Sequence, residues 1–309
     1  MKKAVVTGAN GFVGTAVCKE LSNNGIKVIA IVRSESVDTS SIMSLDNVEI
    51  QVCDLDNIHN LPKLINERDI DCFYHFAWDG TSGSLRSDAP KQINNIKHAS
   101  NAVIASKGLG CKRFVYAASI MEYEIINTMR ENIPPIPCEI YSVAKLCADY
   151  ICKILARDCG IEYISGLITN IYGPGEISQR FINKTIRKML INEHCSFTNG
   201  EQTYDFIYID DAAKAFRAIG ENGVDGKSYY VGSLNPRPLK EFINTMKNEI
   251  DPELSIGLGE LPSRLTAMSY ASFDINALKK DTGFEPSVSF EDGIRRTISW
   301  LKEMKVDGI

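Results

Sequence analysis

The chain lacks the features that mark several classes of protein. Its 34 lysines and arginines nearly balance its 39 aspartates and glutamates, which leaves a formal net charge of −5. Without a basic surplus or a run of lysine and arginine, neither nucleic acid nor a membrane surface is an expected partner. No apolar stretch approaches the roughly 20 residues of a membrane span, and no signal peptide is evident at the start. These absences predict a cytoplasmic protein.

Paired ligands for metals or disulfides are also missing. The nine cysteines contain no C-x-x-C pair, and the four histidines show no ligand spacing. An odd number of cysteines argues against a disulfide framework. We therefore expect reduced thiols that pack as small apolar residues, and no metal site.

The first half of the chain alternates short apolar runs with segments of helical periodicity. Strands are predicted at residues 4–7, 27–32, 48–52, 72–76, 113–118 and 162–167. Helices are predicted at residues 12–24, 58–65, 90–106 and 141–159. Repeated β-α-β units of this length indicate a Rossmann-type, doubly wound α/β fold with a parallel sheet.

The second half is less regular. Helices are predicted at residues 180–190, 239–250 and 290–304, and short strands at residues 205–209 and 228–231. The sequence contains no internal repeat and no low-complexity segment. The stretch 79–90, rich in glycine, serine and aspartate, is interpreted either as a lid over a site or as an ordinary exposed loop.

A glycine loop follows the first predicted strand. Its glycines recur every three residues, a looser spacing than G-x-G-x-x-G. The physical needs are the same: a tight turn, close approach of backbone to a pyrophosphate, and a helix N-terminus that faces the anion. The predicted dinucleotide-binding residues of this loop are Gly8, Asn10, Gly11, Phe12, Val13 and Gly14.

The residue at the end of the second predicted strand is expected to determine whether NAD or NADP binds. An acidic residue there would accept hydrogen bonds from the adenine ribose of NAD. The chain has Arg33 instead, and a guanidinium suits the 2′-phosphate of NADP. The sequence therefore favours NADP(H), with NAD(H) as the alternative. Asp54 and Leu55 follow the third strand, where we expect them to meet the adenine.

A second motif provides acid-base chemistry. Tyr141 and Lys145 lie four residues apart on a predicted helix, so their side chains share one face. A neighbouring ammonium ion lowers the pKa of a phenol, which lets it exchange a proton with an alcohol or ketone. Ser119 ends the predicted strand before this helix, and its hydroxyl group can bind the reacting oxygen.

Together these motifs resemble the extended short-chain dehydrogenases/reductases, which include nucleotide-sugar epimerases, dehydratases and reductases. The resemblance covers nearly the whole chain. Its matching segments are the glycine loop, His75-Phe76-Ala77, Asn95, Ser119, Tyr141, Lys145, and residues 170–175, 205–211 and 283–286.

The resemblance implies roles for particular residues. Ser119, Tyr141 and Lys145 would be the catalytic trio, and Lys145 would also hold the nicotinamide ribose. Further residues implied at the cofactor are Phe76, Ala77 and Trp78. Those implied at the substrate are Trp78, Ser119, Met121, Asn170 and Arg264, the last two on the nucleotide diphosphate.

The resemblance also implies a division of the chain. Residues 1–171 would bind the dinucleotide, with residues 204–232 returning to this domain. A smaller C-terminal α/β substrate lobe would comprise residues 172–203 and 233–309. Relatives form homodimers through the helices around residues 90–106 and 141–159, so a homodimer is expected.

Two departures from the family pattern narrow the function. Tyr204 stands where the family often has an arginine that grips the diphosphate; candidate substitutes are Arg180, Lys184, Arg187 and Lys188. Ile120 and Met121 stand where dehydratases carry an acidic pair, so dehydration is not expected.

The leading prediction is NADP-dependent reduction of a nucleotide-diphosphate 4-keto-6-deoxy sugar, with Tyr141 as the general acid. The alternative is an NAD-dependent nucleotide-sugar 4-epimerase that uses the same trio. A more distant alternative is a non-catalytic protein that senses a dinucleotide. In all three the partner is a small molecule.

Overall fold

The computed structural model describes residues 1–131, 140–262 and 269–306. Within them the strands are β1 (Lys3–Thr7), β2 (Lys27–Val32), β3 (Val48–Val52), β4 (Cys72–His75), β5 (Arg113–Ser119), β6 (Glu162–Ile168), β7 (Asn170–Tyr172), β8 (Cys195–Phe197), β9 (Thr203–Tyr204), β10 (Phe206–Tyr208), β11 (Ser228–Val231), β12 (Arg237–Pro238) and β13 (Ile256–Leu258). 

The helices are α1 (Phe12–Asn23), α2 (Ser40–Met43), α3 (Leu61–Leu64), α4 (Ala89–Gly108), α5 (Met121–Glu131), α6 (Ile140–Cys159), α7 (Phe181–Leu190), α8 (Ile209–Asn222), α9 (Leu239–Ile250), α10 (Ala277–Thr282) and α11 (Phe290–Val306). Short 3₁₀ helices lie at Leu55–Asn60, Gly83–Ser87 and Tyr270–Ser272.

The chain divides into two compact units. The first contains Met1–Ile168, Ala213–Val231 and Asn276–Glu285. The second contains the described residues of Thr169–Ala212, Gly232–Ile275 and Pro286–Ile309. The roles that the sequence assigns to a cofactor domain and a substrate lobe stay a prediction.

The first unit is built on a seven-stranded sheet. Its order is β11-β6-β5-β4-β1-β2-β3, and each neighbouring pair is parallel. The four residues from Ala4 to Thr7 are buried on both faces of the sheet, which explains their continuous run of small and β-branched side chains. The predicted doubly wound α/β class is confirmed.

The strand order brings three chain segments to one edge of this sheet. Strand β4 lies between β1 and β5, with Thr7 level with His75 and His75 level with Tyr116. The carboxyl ends of all three strands therefore open onto the same edge, which is where ligands bind in parallel α/β sheets.

The second unit has three small strand pairs. Strands β7 and β10 are parallel, as are β8 and β13, whereas β9 and β12 are antiparallel. Aromatic side chains form its core: the ring centroid of Phe242 lies 4.8 Å from that of Phe206 and 4.7 Å from that of Phe290. Such edge-to-face contacts fix the helices that carry these rings against the strands.

Some predicted elements differ from the structure. The helix predicted over residues 58–65 is wrong, because the segment forms a 3₁₀ helix, Leu55–Asn60, followed by the single turn of α3. Asp54 explains the tight start, since its carboxylate accepts a hydrogen bond from the Asp56 amide at 2.9 Å. Helices α5 and α8 are present although the sequence pattern did not indicate them. Among the described residues, no helix is long and apolar enough to cross a membrane.

Candidate active site

The glycine loop forms a close cradle between β1 and α1. Gly8 has φ of +66°, in the left-handed region that favours glycine. A Cβ atom on Gly14 would lie 2.1 Å from the carbonyl oxygen of Gly8, so any other residue there would clash with backbone. Gly11 precedes α1 and gives it no side-chain cap. The first amides of the helix are thus available to an anion, and the loop fits a pyrophosphate. The other predicted residues of this loop are Asn10, which is exposed, and the half-buried Phe12 and Val13.

The residues predicted to select the dinucleotide lie at the ends of β2 and β3. Arg33 follows β2 and is exposed, and no described residue forms an ion pair with it. Asp54 lies after β3, where one carboxylate oxygen caps the following 3₁₀ helix. Leu55 is half-buried beside it.

The end of β4 packs directly on the glycine loop. The amide of Ala77 donates a hydrogen bond to Thr7 Oγ1 at 3.4 Å, and a Cβ on Gly8 would lie 2.9 Å from the Ala77 nitrogen. The half-buried ring of Phe76 packs on that of Phe216, with centroids 4.8 Å apart. This contact fixes the side chain beside the end of β4.

Ser119 is the last residue of β5 and is buried. Its Oγ accepts a hydrogen bond from the Met121 amide at 3.2 Å, which leaves its hydroxyl proton for another acceptor. Met121 itself is half-buried at the start of α5.

Tyr141 and Lys145 lie in the first two turns of α6, and both contact Trp78. The rings of Tyr141 and Trp78 meet edge to face at 6.1 Å, and Lys145 Nζ lies 3.7 Å from the Trp78 ring centroid. Trp78 is held in turn by a hydrogen bond from Nε1 to Gln92 Oε1 at 2.9 Å. The structure thus brings the predicted tyrosine and lysine together at one indole ring.

Lys145 is a buried cation that donates to the strand carrying Ser119. Its Nζ donates a hydrogen bond to the carbonyl oxygen of Ala117 at 2.9 Å. Burial lowers the pKa of Lys145, and the nearby carboxyl groups of Glu122 and Asp149 oppose this effect. The negative charge carried by this pair of carboxyl groups therefore helps the ammonium form to persist in the interior.

Three ionisable residues at this site are absent from the predicted set of site residues. The guanidinium carbon of Arg86 lies 4.6 Å from the centroid of the Tyr141 ring. Glu122 and Asp149 are buried beneath the trio. The sequence signal for Glu122 is its place one position beyond Ile120 and Met121, where it is a weak substitute for the acidic pair of the dehydratases. Arg86 carries no signal beyond its place in the stretch 79–90.

The stretch 79–90 is tied to α4 by two amide side chains. Asn95 accepts from the Asp79 amide at 3.0 Å and donates to the Asp79 carbonyl at 2.8 Å. Gln92 donates to the carbonyl oxygens of Gly80 and Leu85, each at 3.0 Å. These bonds give Asn95 a structural role, and a lid motion stays a prediction.

In the second unit, Asn170 Nδ2 donates to the carbonyl oxygen of Asp205 at 3.0 Å. Arg264 lies outside the described residues. Tyr204 pairs across β9 and β12 with Arg237, whose guanidinium carbon stacks 4.5 Å from the Phe242 ring centroid. Arg237 therefore lies next to position 204, where the family often has an arginine. The sequence pattern did not single out Arg237.

The cations proposed as substitutes for that arginine make local contacts. Arg180 Nε lies 3.5 Å from Glu176, and Lys188 pairs with Glu193. Arg187 donates to the carbonyl oxygen of Ile177 at 3.5 Å. Lys184 is exposed on α7. A role for any of them in substrate binding stays a prediction.

The chain is similar in sequence and in fold to several known proteins. GDP-mannose 3,5-epimerase 1 from Oryza sativa subsp. indica is 26% identical over 314 residues, which cover 96% of this chain and 81% of that protein. The structure of UDP-glucose 4-epimerase from Thermotoga maritima with UDP-glucose has a TM-score of 0.79 and 21% identity, with 98% and 99% of the two chains covered. The enzyme WbmF of Bordetella bronchiseptica in complex with NAD+ also has a TM-score of 0.79 and 21% identity, with 99% and 94% covered.

The two structural likenesses show the shared fold. A family model described as the NAD dependent epimerase/dehydratase family matches residues 4–232 of the 309-residue chain, which include the glycine cradle and the trio. The chain therefore belongs to the NAD-dependent epimerase/dehydratase family.

Proposed function

We propose that this protein is an NAD-dependent nucleotide-sugar 4-epimerase. The observation that carries the proposal is the placement of Ser119, Tyr141 and Lys145 at the sheet edge that also bears the glycine cradle. The likeness to a 4-epimerase solved with UDP-glucose, and to a protein solved with NAD+, supports this function over the reduction that the sequence favoured.

The side chains of the site can perform both proton transfers of an epimerisation. Tyr141 takes the proton of the sugar 4-hydroxyl group as the C4–H bond breaks, and it returns that proton when the bond re-forms on the other face. NAD held in the glycine cradle supplies a hydride acceptor that is regenerated within the same cycle. No net oxidant or reductant is then consumed.

Ser119 and Lys145 assist that transfer electrostatically. With its oxygen engaged by the Met121 amide, the Ser119 hydroxyl group donates its proton toward the reacting oxygen. Lys145, fixed between the Ala117 carbonyl and the Trp78 ring, places positive potential beside the phenol of Tyr141. The positive potential favours the phenolate, which is the form that accepts a proton.

The second candidate function is reduction of a 4-keto sugar nucleotide with NADPH. Arg33 favours it, because this exposed guanidinium lies at the end of β2 without an ion-pair partner among the described residues. A 2′-phosphate there would gain a charge-assisted hydrogen bond of about 1.5–3 kcal/mol. In that reaction Tyr141 would donate a proton to the carbonyl oxygen and be reprotonated from solvent.

The dinucleotide that co-purifies with the protein separates the two candidates. We expect tightly held NAD, and interconversion of C4 epimers, without net cofactor consumption, within a panel of UDP-, CDP-, GDP- and dTDP-sugars followed by proton NMR. Oxidation of NADPH that depends on a 4-keto sugar nucleotide would establish the reductase instead. The absence of both bound dinucleotide and turnover would contradict both candidates. A homodimer and a cytoplasmic location stay predictions.

A further inference from the structure

A buried carboxyl group lies directly behind Ser119, and the mechanism above makes no use of it. Glu122, in the first turn of α5, is only 2% exposed. Its Oε1 accepts a hydrogen bond from the backbone amide of Ser119 at 2.9 Å. The Met121 amide donates to Ser119 Oγ at 3.2 Å. One helical turn therefore fixes both the backbone and the hydroxyl group of the serine.

The charges around Glu122 determine which form of its carboxyl group is stable. Helix α6 brings Lys145 and Asp149 toward it, and both are buried. The other titratable groups that face this cluster are the phenols of Tyr116 on β5, Tyr123 on α5 and Tyr163 on β6. On α6 they are the buried thiol of Cys152 and the exposed ammonium group of Lys153. Two ionised carboxylates beside one ammonium ion would leave a net buried charge of −1, which is costly in a low dielectric. One of the two carboxyl groups therefore holds a proton.

Hydrogen bonding distinguishes the two. Asp149 Oδ1 accepts the Tyr163 hydroxyl at 2.6 Å, a short bond typical of an ionised acceptor. Among the described residues, the Glu122 carboxyl group accepts one hydrogen bond, which comes from the Ser119 amide. Burial and the charge of Asp149 raise the pKa of Glu122, and the Ser119 amide opposes this effect. Burial also raises the pKa of Asp149, but the Tyr163 hydrogen bond and the charge of Lys153 oppose it. The proton thus belongs on Glu122, and Asp149 is the ionised carboxylate of the cluster.

We propose that Glu122 is a positioning residue, which as a neutral carboxylic acid holds Ser119 in the orientation that presents its hydroxyl group to the reacting oxygen. A neutral acid can accept the Ser119 amide without placing a second negative charge where charge builds up on the reacting oxygen. Ionisation of Glu122 at alkaline pH would add that charge. The effect on turnover rests on the proposed redox function, whereas the protonation state and the amide contact do not.

Two substitutions separate the role of Glu122 as a hydrogen-bond acceptor from the effect of its ionisation. Glu122→Gln keeps an oxygen acceptor in a neutral side chain, and we expect kcat within about twofold of wild type at neutral pH and a smaller fall of kcat at alkaline pH. Glu122→Leu removes the acceptor. We expect it to lower kcat about 10- to 100-fold with KM nearly unchanged, which is less than the roughly 10²- to 10³-fold loss on removing a donor outright, because Ser119 is misplaced and not removed. Glu124→Gln, the same substitution on the same helix but at a half-buried position, is the matched control and should retain the wild-type pH profile.

Nuclear magnetic resonance tests the proposal without turnover. With ¹³C-labelled glutamate, the wild-type protein at neutral pH should show one protonated side-chain carboxyl signal that is absent from Glu122→Gln. The Ser119 amide proton should keep its shift in Glu122→Gln and move in Glu122→Leu. The protein could give both of these results and yet turn over no nucleotide sugar. That outcome would uphold the positioning of Ser119 by Glu122 and would contradict only the proposed function.

Three results would overturn the proposal. The first is an ionised Glu122 at neutral pH. The second is a Glu122→Gln variant as impaired as Glu122→Leu. The third is a folded Glu122→Leu variant, with wild-type dinucleotide content, that retains wild-type kcat.

Discussion

Tyr141 is a half-buried side chain whose ring contacts are separate from the hydroxyl group that we propose as the acid-base group. The ring contacts Trp78 and Arg86, and a phenylalanine would preserve both contacts. The hydroxyl group alone distinguishes the two residues. Structure and proton transfer can therefore be separated at this position by the loss of one oxygen atom.

We expect Tyr141→Phe to lower turnover about 10²- to 10⁴-fold, the usual contribution of a positioned acid-base group. Its content of bound dinucleotide should remain that of the wild type, because the ring contacts persist. Turnover with the preferred nucleotide sugar and the absorbance of released dinucleotide measure the two effects. Tyr150→Phe, at an exposed position on the same helix, should change neither, and turnover of Tyr141→Phe at the wild-type rate would refute the mechanism.

The residues of the site differ in how far the sequence predicts them. Tyr141 and Lys145 were predictable because helical periodicity places positions four apart on one face. Glu122 and Arg86 were not, since a strand end, a loop and a helix must pack before they reach the trio. Local spacing thus predicts which of the proposed site residues share a helix face, and tertiary packing brings the other two beside them.

At the scale of elements, the junction of β1 and α1 is the most sterically restricted part of the cofactor site. The clash of a Cβ on Gly14 involves the Gly8 carbonyl at 2.1 Å, whereas a Cβ on Gly11 would lie 3.2 Å from the same oxygen. The first distance requires backbone movement, while the second needs a shift of a few tenths of an ångström. The close packing of α1 on the loop therefore depends more strictly on glycine at position 14 than at position 11.

We expect Gly14→Ala to abolish retention of the dinucleotide and lower the thermal unfolding midpoint, because α1 must move away from the loop. Gly11→Ala should weaken binding by about tenfold or less and leave the unfolding midpoint nearly unchanged. Isothermal titration calorimetry with NAD measures the binding, and differential scanning calorimetry measures the unfolding midpoint. Equal effects of the two substitutions would show that steric closeness at Gly14 does not govern the cradle.

Helices α4 and α6 pack on each other and also carry exposed apolar side chains. On α6 these are Val143, Tyr150, Ile151 and Ile154, and on α4 they are Ile93 and Ile104. A row of aliphatic side chains in water is unfavourable, and burial against a second copy would stabilise each by about 1–2 kcal/mol. This surface is therefore where the expected homodimer would form.

We expect Ile154→Asp to convert the protein to a monomer, since a carboxylate would be buried without a partner at that interface. Multi-angle light scattering after gel filtration measures the mass. Ile191→Asp, the same change at a similarly exposed position of the second unit, should leave the mass unchanged. A wild-type monomer, or a dimer that survives Ile154→Asp, would contradict this interface.

Elements of the fold were predictable to different degrees. Five of the six strands of the first half stand out because strands buried on both faces are largely apolar, whereas β3, at the end of the sheet order, alternates apolar residues with Glu49 and Gln51. Helix α5 was missed because its apolar positions are interrupted by Glu122, Glu124 and polar residues, and its burial depends on packing against α6. The 3₁₀ helix after β3 was taken for part of an α-helix because the Asp54 cap, not periodicity, sets its geometry.

At the scale of the whole molecule, a buried histidine couples stability to pH. His75 is 1% exposed; its Nδ1 lies 2.9 Å from Thr7 Oγ1, and Nε2 is buried without a hydrogen-bond partner among the described residues. Burial, and secondarily the charge of Lys145, lower the pKa of His75 from 6.5 to about 3. Between these values the unfolded chain binds a proton that the folded protein excludes, so stability falls as the pH drops below 6.5.

We expect the free energy of unfolding to fall by about 2–3 kcal/mol more between pH 6.5 and 4.5 in the wild type than in His75→Gln, because one proton contributes about 1.4 kcal/mol per pH unit. Urea titrations at each pH measure the difference. His59→Gln, at an exposed position, should retain the wild-type dependence. A His75→Gln profile parallel to that of the wild type would mean that His75 does not carry the effect.

The boundaries of the two units were the least predictable part of the molecule. Residues 204–212 group with the second unit, and Asn276–Glu285 with the first. The latter segment is anchored by a hydrogen bond from the Tyr229 hydroxyl to Asp281 at 2.7 Å. A contact between residues 52 positions apart leaves no mark in local sequence periodicity.

The strand order has a consequence for the synthesis of the chain. Strand β6 is complete at Ile168, but its outer neighbour β11 begins only at Ser228. Until the ribosome has delivered those later residues, the nascent sheet displays an unpaired apolar edge that other chains can join. Chaperone demand should therefore peak over this interval of translation, and a fragment cut after residue 168 should aggregate even though it carries every residue of the trio.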